Sequence, residues 1–128
     1  MLYTVQISAP TPKTIEKIDI TVKSSYYPWN TFAPAWGLVS DYKSNRITKE
    51  QYQESYYSLL RTRYRENRSV FHELIKKSMD SDIALACYCR VGEFCHRYLL
   101  AEILLKIEPL VLYQGELTPS VEQPALNF

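Results

Sequence analysis

The chain has 128 residues, of which 46% are hydrophobic and 23% are charged, and its formal net charge is +1. This size and composition are typical of a globular protein with a buried core, and we predict a single domain over residues 1 to 118 and a loosely held tail over residues 119 to 128. The near-neutral charge excludes a general nucleic-acid coat or a polybasic membrane binder, and no apolar stretch approaches the roughly 20 residues of a membrane-spanning helix.

The first third of the sequence predicts two strands, a long loop and a short helix. Leu2 to Ile7 alternates apolar and polar residues and predicts strand 1. Ile18 to Val22 predicts strand 2, with Asp19 inside it. Residues 23 to 34 contain two prolines and four aromatic residues without a clear period, which predicts a loop long enough to line a site. Residues 35 to 43 predict a short helix.

The central part of the sequence predicts two consecutive helices. Thr48 to Gln51 matches a capping box, in which the threonine side chain accepts a hydrogen bond from the glutamine backbone and the glutamine side chain reaches back. The first helix should run to about Asn67, because its apolar residues fall on one face. A second helix, capped by Ser69, should run to about Ser78. The apolar face of the first helix consists of Tyr52, Tyr56, Leu59, Leu60 and Tyr64.

The last part of the sequence predicts a strand, a helix and a final strand. Asp82 to Tyr88 predicts strand 3, which is apolar enough to be central and buried on both faces. The next helix should begin at Cys95 and end near Glu108, and Leu110 to Tyr113 predicts the last strand. This alternation predicts an α/β fold: a three-layer Rossmann-like domain with a mostly parallel sheet of about four to five strands.

The chemically informative residues are concentrated in the segment from 87 to 97, CYCRVGEFCHR. All three cysteines of the chain lie here, with one of its two histidines and two arginines. The predicted order of strand, turn and helix places them where open α/β sheets bind ligands, and where a helix N-terminus attracts anions. In a reducing compartment the cysteines should act as nucleophiles, metal ligands or core residues rather than as disulfides.

Three interpretations of this segment remain open from the residues alone. In the first, it forms an anion or nucleotide pocket, in which the helix dipole and Arg97 stabilise the Cys95 thiolate and His96 carries protons. Arg90 and Arg97 would then bind phosphate or carboxylate. In the second, the three cysteines and His96 bind zinc, although the spacing C-x-C-x5-C-H is unusual. In the third, Cys87 is a small core residue and the histidine and arginine pair locally.

Candidates outside the three thiols each have a structural alternative. Asp19 either orients the histidine and arginine of the segment, binds a ribose hydroxyl, or forms a structural salt bridge. Trp36 either stacks on a planar ligand or packs its loop onto the sheet. Glu93 is either a general acid–base or a carboxylate favoured before a helix start, and Lys23 offers a positive charge nearby.

Residues 2 to 110 resemble the uncharacterised domain family DUF488. The family is marked by a strand that ends in cysteine, a short polar turn and a Cys-His-Arg triplet that opens a helix. Here these features are Cys87, Cys89 and the triplet from Cys95 to Arg97. The resemblance implies a compact α/β domain, and short members are similar to proteins of bacteria and their phages. Similar upstream segments are Ile18 to Ser24, Thr31 to Lys43 and Ile47 to Arg61.

We predict that the protein binds a small phosphorylated or nucleotide-like ligand at the turn between strand 3 and the following helix. If a reaction occurs there, Cys95 or Cys89 is the nucleophile and His96 the proton carrier. The predicted ligand-binding residues are Arg97, Arg90, Glu93, Asp19, Lys23 and Trp36. We assign no metal ligand and no cofactor.

Two alternatives to this function stay open. One is a non-catalytic binding protein, which in a phage setting would sequester a host nucleotide signal or bind a host protein. The other is a structural zinc module. The N-terminus lacks the basic start and apolar core of a signal peptide, so we expect a cytoplasmic protein without membrane binding. A homodimer remains open as its assembly.

Overall fold

The computed structural model describes residues 1 to 118, so the predicted tail at 119 to 128 lies outside the described residues. Among residues 1 to 118, no helix has the length and apolar character that crossing a bilayer requires. The strands are β1 (Leu2–Gln6), β2 (Glu16–Asp19), β3 (Ile83–Cys87) and β4 (Tyr113–Leu117). The α-helices are α1 (Trp36–Lys43), α2 (Lys49–Glu66), α3 (Arg68–Asp80) and α4 (His96–Ile107), and a short 3₁₀ helix spans Trp29–Phe32.

The four strands are all parallel and lie in the order β2-β3-β1-β4. Ile83 of β3 pairs with Leu2 of β1 on one side and with Glu16 of β2 on the other. All residues of β3 are buried, as the sequence predicts for a central strand. Because the strands run in one direction, their carboxyl ends meet at one edge of the sheet, where the segments after β2 and β3 lie side by side.

The two faces of the sheet have different coverings. On one face, residues such as Leu2 and Leu85 pack in a core with the apolar sides of α2, α3 and α4. On the other face, Val5, Ala84 and Ala86 pack with residues of the connection between β1 and β2. The sheet thus lies between a thick helical layer and a thin layer of connecting chain, which is the three-layer Rossmann-like α/β arrangement that the sequence predicts.

Helix α2 has an N-terminal cap of its own, and hydrogen bonds from its side chains join it to the loop before α1. The predicted capping box is confirmed: the Gln51 backbone donates to Thr48 Oγ1 at 3.1 Å, and the Thr48 backbone donates to Gln51 Oε1 at 2.8 Å. The Tyr56 hydroxyl donates to the Phe32 carbonyl at 2.7 Å, and Arg63 Nη1 donates to two further carbonyls of the same loop. These bonds hold the loop and the start of α1 in place beside the sheet.

Three predicted boundaries are wrong, each for a local reason. Strand 2 ends at Asp19, because its carboxylate accepts hydrogen bonds from the Thr21 backbone at 2.9 Å and the Ser24 hydroxyl at 2.6 Å, which closes a turn. Helix α3 begins directly after Asn67, so Ser69 is not its cap. The last strand begins where its prediction ended, at Tyr113, because a turn follows α4.

Candidate functional site

A cavity of about 530 Å³ opens at the carboxyl ends of β2 and β3. This volume falls in the range of pockets that hold small organic molecules, roughly 300 to 1,000 Å³. Its residues come from four places in the chain: the connection after β2, helix α1, the first turns of α2, and the segment between β3 and α4. We call the side chains of Cys87, Cys89, Cys95 and His96 the floor of the cavity.

Three thiols meet on the floor. The sulfur atoms of Cys87, Cys89 and Cys95 all lie within 4.8 Å of one another. Cys87 and Cys95 are buried, whereas Cys89 is half-buried. The sulfurs of Cys87 and Cys95 are in contact, but their Cα atoms are 8.0 Å apart. Disulfides join Cα atoms roughly 4.4 to 6.8 Å apart, so we describe this pair as two thiols.

His96 lies on the floor in a defined tautomer. Cys95 is the N-cap of α4 and His96 is its first residue. His96 Nε2 donates to the carbonyl oxygen of Ile20, just after β2, at 2.8 Å. The proton is therefore on Nε2, and the lone pair of Nδ1 is available to the Cys95 sulfur 3.6 Å away. Burial lowers the pKa of His96 to about 4, so the imidazole is neutral near pH 7.

Arg97 lies beneath the floor rather than in the cavity, and its side chain is fully buried. Its Nη1 donates to the Cys87 sulfur at 2.8 Å and to the Cys89 carbonyl at 3.0 Å. Nε and Nη2 donate to the Glu116 carboxylate at 3.1 and 2.7 Å, and Nη2 also donates to the Tyr98 hydroxyl at 3.0 Å. Burial alone would lower the pKa of Arg97, but its hydrogen bonds and ion pair with Glu116 raise it. All five N–H donors of the guanidinium are used inside the protein.

One side of the cavity is aromatic. Tyr42, Tyr52 and Phe94 contact each other with ring centroids 5.4 to 5.5 Å apart, and Trp36 extends this side outward with 56% of its surface exposed. We call these four residues the aromatic wall. Tyr52 is 4% exposed, and its hydroxyl has no hydrogen-bond partner within residues 1 to 118. Burial, with smaller contributions from Cys89 and Tyr42, raises the pKa of Tyr52.

Two lysines line the opening of the cavity. Lys23 places its Nζ 5.8 Å from the centre of the Trp36 ring, and Lys43 is close enough to Cys89 to oppose the rise that burial causes in the pKa of that thiol. Neither of these rim lysines makes an ion pair within the part of the chain that the structure describes. Glu93 is the one carboxylate among the described lining residues, so the opening has a positive charge.

Comparison with known proteins assigns the chain to a family. A sequence model described as "DUF488-N3a: Active DUF488-N3 subclade" matches residues 6–108. The chain belongs to the DUF488 family. No curated protein and no solved structure matches it. The matched range contains every lining residue of the cavity, whereas Glu116, which pairs with Arg97, lies beyond it.

This DUF488 chain brings together most of the residues that the sequence singled out. Cys89, Cys95, His96, Glu93, Lys23 and Trp36 all line the cavity. Glu93 also has a local task, because one of its carboxylate oxygens accepts a hydrogen bond from the Arg90 backbone at 2.8 Å and closes the turn before α4. The carboxylate that sequence reasoning offered as an acid–base group or a helix-start residue therefore lies at the cavity and stabilises the turn as well.

Three predicted ligand-binding residues of this DUF488 chain lie elsewhere. Arg97 has its donors engaged with Glu116 and other protein groups, so we no longer assign it to the ligand. The Arg90 side chain is exposed and does not line the cavity. Asp19 pairs in register with Ala86, and this places its side chain on the sheet face opposite the helices, where it holds the turn after β2.

Sequence reasoning missed most of the aromatic wall. Tyr42 and Phe94 were not singled out, and Tyr52 was assigned only to the apolar face of α2. The available signal was the number of tyrosines, eleven in the chain, since buried phenols need partners and some of so many must lie on the surface or line a cleft. Which tyrosines do so depends on the packing of α1 against α2, which no local motif of a DUF488 chain encodes.

Proposed function

We propose that this DUF488 domain binds a small phosphorylated, nucleotide-like ligand in the cavity at the carboxyl ends of β2 and β3. The observation that supports this proposal best is the combination of the aromatic wall with the rim lysines, which form no ion pair within residues 1 to 118. A planar ring and an anionic group in one molecule match these two features. The volume of about 530 Å³ is sufficient for such a molecule.

The aromatic wall favours a planar ring. Trp36 lines the cavity and is 56% exposed overall, and an exposed indole beside a pocket is a suitable stacking partner for a base. Stacking of a base on an aromatic side chain contributes roughly 1 to 3 kcal/mol. Tyr52 lines the cavity, and its hydroxyl, which has no hydrogen-bond partner within residues 1 to 118 and is not sealed from solvent, offers the ring one hydrogen bond and thus some selectivity.

The rim lysines favour an anionic group. Lys23 and Lys43 line the cavity with no carboxylate within 4.0 Å of their amines in the described chain, whereas Arg97 is neutralised by Glu116. An ammonium group binds phosphate as a point charge. A phosphate between the two lysines leaves the attached ring on the side of Trp36, because Lys23 lies against that indole.

Isothermal titration with a matched set of ligands tests this proposal. The set is adenosine 5′-monophosphate, adenosine, ribose 5-phosphate and inorganic phosphate, followed by the other nucleoside monophosphates. We expect a monophosphate to bind at least about tenfold more tightly than adenosine or phosphate alone, since stacking and charge then act together. Equal affinity for inorganic phosphate and the nucleotide contradicts the ring site, and no binding of any member contradicts the proposal.

A cysteine-dependent reaction is a second candidate function, supported by the 3.6 Å contact between Cys95 Sγ and His96 Nδ1. In this step the Cys95 sulfur forms a bond to an electrophilic carbon of the ligand, and its proton moves to Nδ1. The leaving group departs with the bonding electrons and takes that proton. Water then cleaves the covalent intermediate and restores the thiol.

Turnover of a ligand found by titration separates this reaction from sequestration of the ligand. Mass spectrometry measures product formation. We expect Cys95→Ser and His96→Ala to abolish it, while the melting temperature of each variant stays within a few degrees of that of the original chain. Binding with unchanged ligand after long incubation instead identifies a non-catalytic binding protein. If both variants fail to fold, Cys95 and His96 have a structural role, and the cysteine-dependent reaction is overturned.

A further inference from the structure

We propose that Cys87, Cys89 and Cys95 form an open three-thiolate site for Zn²⁺ on the floor of the cavity. Three sulfurs hold the ion, and its fourth position faces the space in which the proposed ligand binds. The zinc site depends on the three thiols and not on the identity of the ligand. It deepens the proposed function by naming the group that an anionic oxygen of the ligand, or a water molecule, would meet at the floor.

The positions of the sulfurs fit one metal ion. All three lie within 4.8 Å of one another, and tetrahedral zinc with Zn–S bonds of about 2.3 Å places its sulfurs roughly 3.8 Å apart. No two sulfurs have to approach by more than about 1 Å, whereas the touching sulfurs of Cys87 and Cys95 have to move apart. The Cα atoms of Cys87 and Cys95, 8.0 Å apart, are farther apart than a disulfide normally allows, and both sulfurs lie within 4.8 Å of the Cys89 sulfur.

The composition of the group indicates both the metal and the type of site. Thiolate ligands select zinc or copper(I) over magnesium and calcium, and zinc is the ion to which we commit. Within residues 1 to 118, the cluster of metal-binding atoms contains these three sulfurs and neither a nitrogen nor a carboxylate. Structural zinc sites have four protein ligands, whereas sites with three keep a position open. An open site therefore replaces the structural zinc module that the sequence left as an alternative.

One of the three sulfurs, that of Cys87, accepts a hydrogen bond from a cationic group, which supports its thiolate form. Arg97 Nη1 donates to the Cys87 sulfur at 2.8 Å and also holds the Cys89 carbonyl, so it orients two of the three ligands. Hydrogen bonds from such outer groups are what fix metal ligands in place. The guanidinium is itself held by Glu116. The three cysteines also line the cavity, so an ion bound to them is reached from the solvent side.

Metal binding is tested first on the untagged, fully reduced chain after removal of bound metal with a chelator. Zinc titration should give one ion per chain, and alkylation with iodoacetamide followed by mass spectrometry should show all three thiols protected by one equivalent of zinc. Replacement by Co²⁺ should produce thiolate-to-cobalt charge-transfer absorption and the visible bands of a tetrahedral site. Equal alkylation of the three thiols with and without zinc overturns the proposal.

A pair of variants separates this site from adventitious binding. Cys89→Ser should lower zinc affinity at least about tenfold. Because Cys89 is half-buried and lies outside the helices and strands, the circular dichroism spectrum and melting temperature of this variant should match those of the original chain. His72→Ala is the control, since His72 is exposed on α3, away from the cavity. It should bind zinc as the original chain does. Loss of zinc binding in His72→Ala, or full zinc affinity in Cys89→Ser, contradicts the three-thiolate site.

Failure of the zinc proposal can be distinguished from failure of the proposed ligand binding. Titration of adenosine 5′-monophosphate is repeated on the zinc-free and zinc-loaded chain. If zinc fails to bind while the nucleotide binds, the zinc site is excluded and the proposed function stands. If the cobalt spectrum changes when the nucleotide or phosphate is added, the open fourth position faces the ligand as proposed; an unchanged spectrum with a bound nucleotide contradicts that position. Thiols held by zinc are not free nucleophiles, so a stable zinc complex also excludes the cysteine-dependent reaction.

Discussion

Cationic side chains lie on two sides of the cavity floor, and they differ in whether another group of the protein neutralises their charge. Beneath the floor, the buried Arg97 donates all of its hydrogen bonds to protein acceptors, and its charge is neutralised by Glu116. At the opening, Lys23 and Lys43 have no ion-pair partner within residues 1 to 118. The contrast separates a cation that holds the structure from cations that are available to a ligand.

This difference corrects a common inference from sequence. An arginine in a turn that opens a helix suggests anion binding, and in this chain Arg97 follows two candidate catalytic residues directly. Its side chain nevertheless points to the sheet, because α4 packs on β1 and β3 and presents that side of its first turn to Glu116 of β4. The lysines carry less obvious sequence signals, yet they are the charges that face the cavity.

The largest effect is expected from breaking the buried pair. Arg97→Met should destabilise the protein by about 3 to 5 kcal/mol, because it leaves the Glu116 carboxylate, 13% exposed, without its partner. Urea denaturation followed by circular dichroism measures the free energy of unfolding. The ligand affinity of the fraction that remains folded should change much less, since Arg97 does not line the cavity.

The double variant Arg97→Met, Glu116→Gln is the matched control for this prediction. Removal of both charges eliminates the unpaired carboxylate, so most of the lost stability should return. If the double variant is as unstable as the single one, the cost lies in packing around the floor rather than in the ion pair. If Arg97→Met unfolds at the same urea concentration as the original chain, the structural role of the arginine is wrong.

Parts of the fold were predictable because local sequence determines them. The capping box of Thr48, the continuous apolar run of β3 and the position of Cys95 before α4 each depend on a few neighbouring residues. From these alone the sequence placed the site at the carboxyl end of a central strand. The predicted boundaries of β2 and β4 were wrong, because turns next to these strands compete with strand pairing.

The rest depends on contacts between distant segments. Asp19 was correctly placed inside a strand, but the face to which it points depends on register, and a shift of one residue moves a side chain to the other face. The pairing of Arg97 with Glu116 required knowing that β4 lies next to β1. The aromatic wall required knowing how α1 packs on α2. None of these relations is encoded by spacing along the chain.

A smaller loss of stability is expected when the hydrogen bond between α2 and the loop before α1 is removed. Tyr56→Phe should cost about 1 to 3 kcal/mol of stability, since it leaves the Phe32 carbonyl without its buried donor. Tyr57→Phe is the matched control, because its hydroxyl bonds to Glu102 at the surface, and it should change stability by less than about 0.5 kcal/mol. Urea denaturation of both variants gives the comparison, and equal losses contradict the buried hydrogen bond as the tie between loop and helix.

The smallest effect on stability, joined to a clear effect on binding, is expected at the opening of the cavity. Trp36→Ala and Lys43→Ala should each change the free energy of unfolding by less than about 0.5 kcal/mol, because both side chains are exposed. Each should nevertheless weaken nucleotide binding at least about tenfold, as expected for loss of a stacking partner or a phosphate contact. Tyr26→Ala and Lys13→Ala, which are exposed away from the cavity, should leave affinity unchanged.

The tryptophan fluorescence of the chain makes this last comparison direct. The chain has two tryptophans, and Trp29 packs against the core while Trp36 lines the cavity. In a Trp29→Phe background, a nucleotide should quench the single remaining indole with the same dissociation constant that titration calorimetry gives. Binding without any change in Trp36 fluorescence would place the ring away from the aromatic wall. The charge of the rim lysines would then have to be explained by a ligand without an aromatic ring, such as a sugar phosphate.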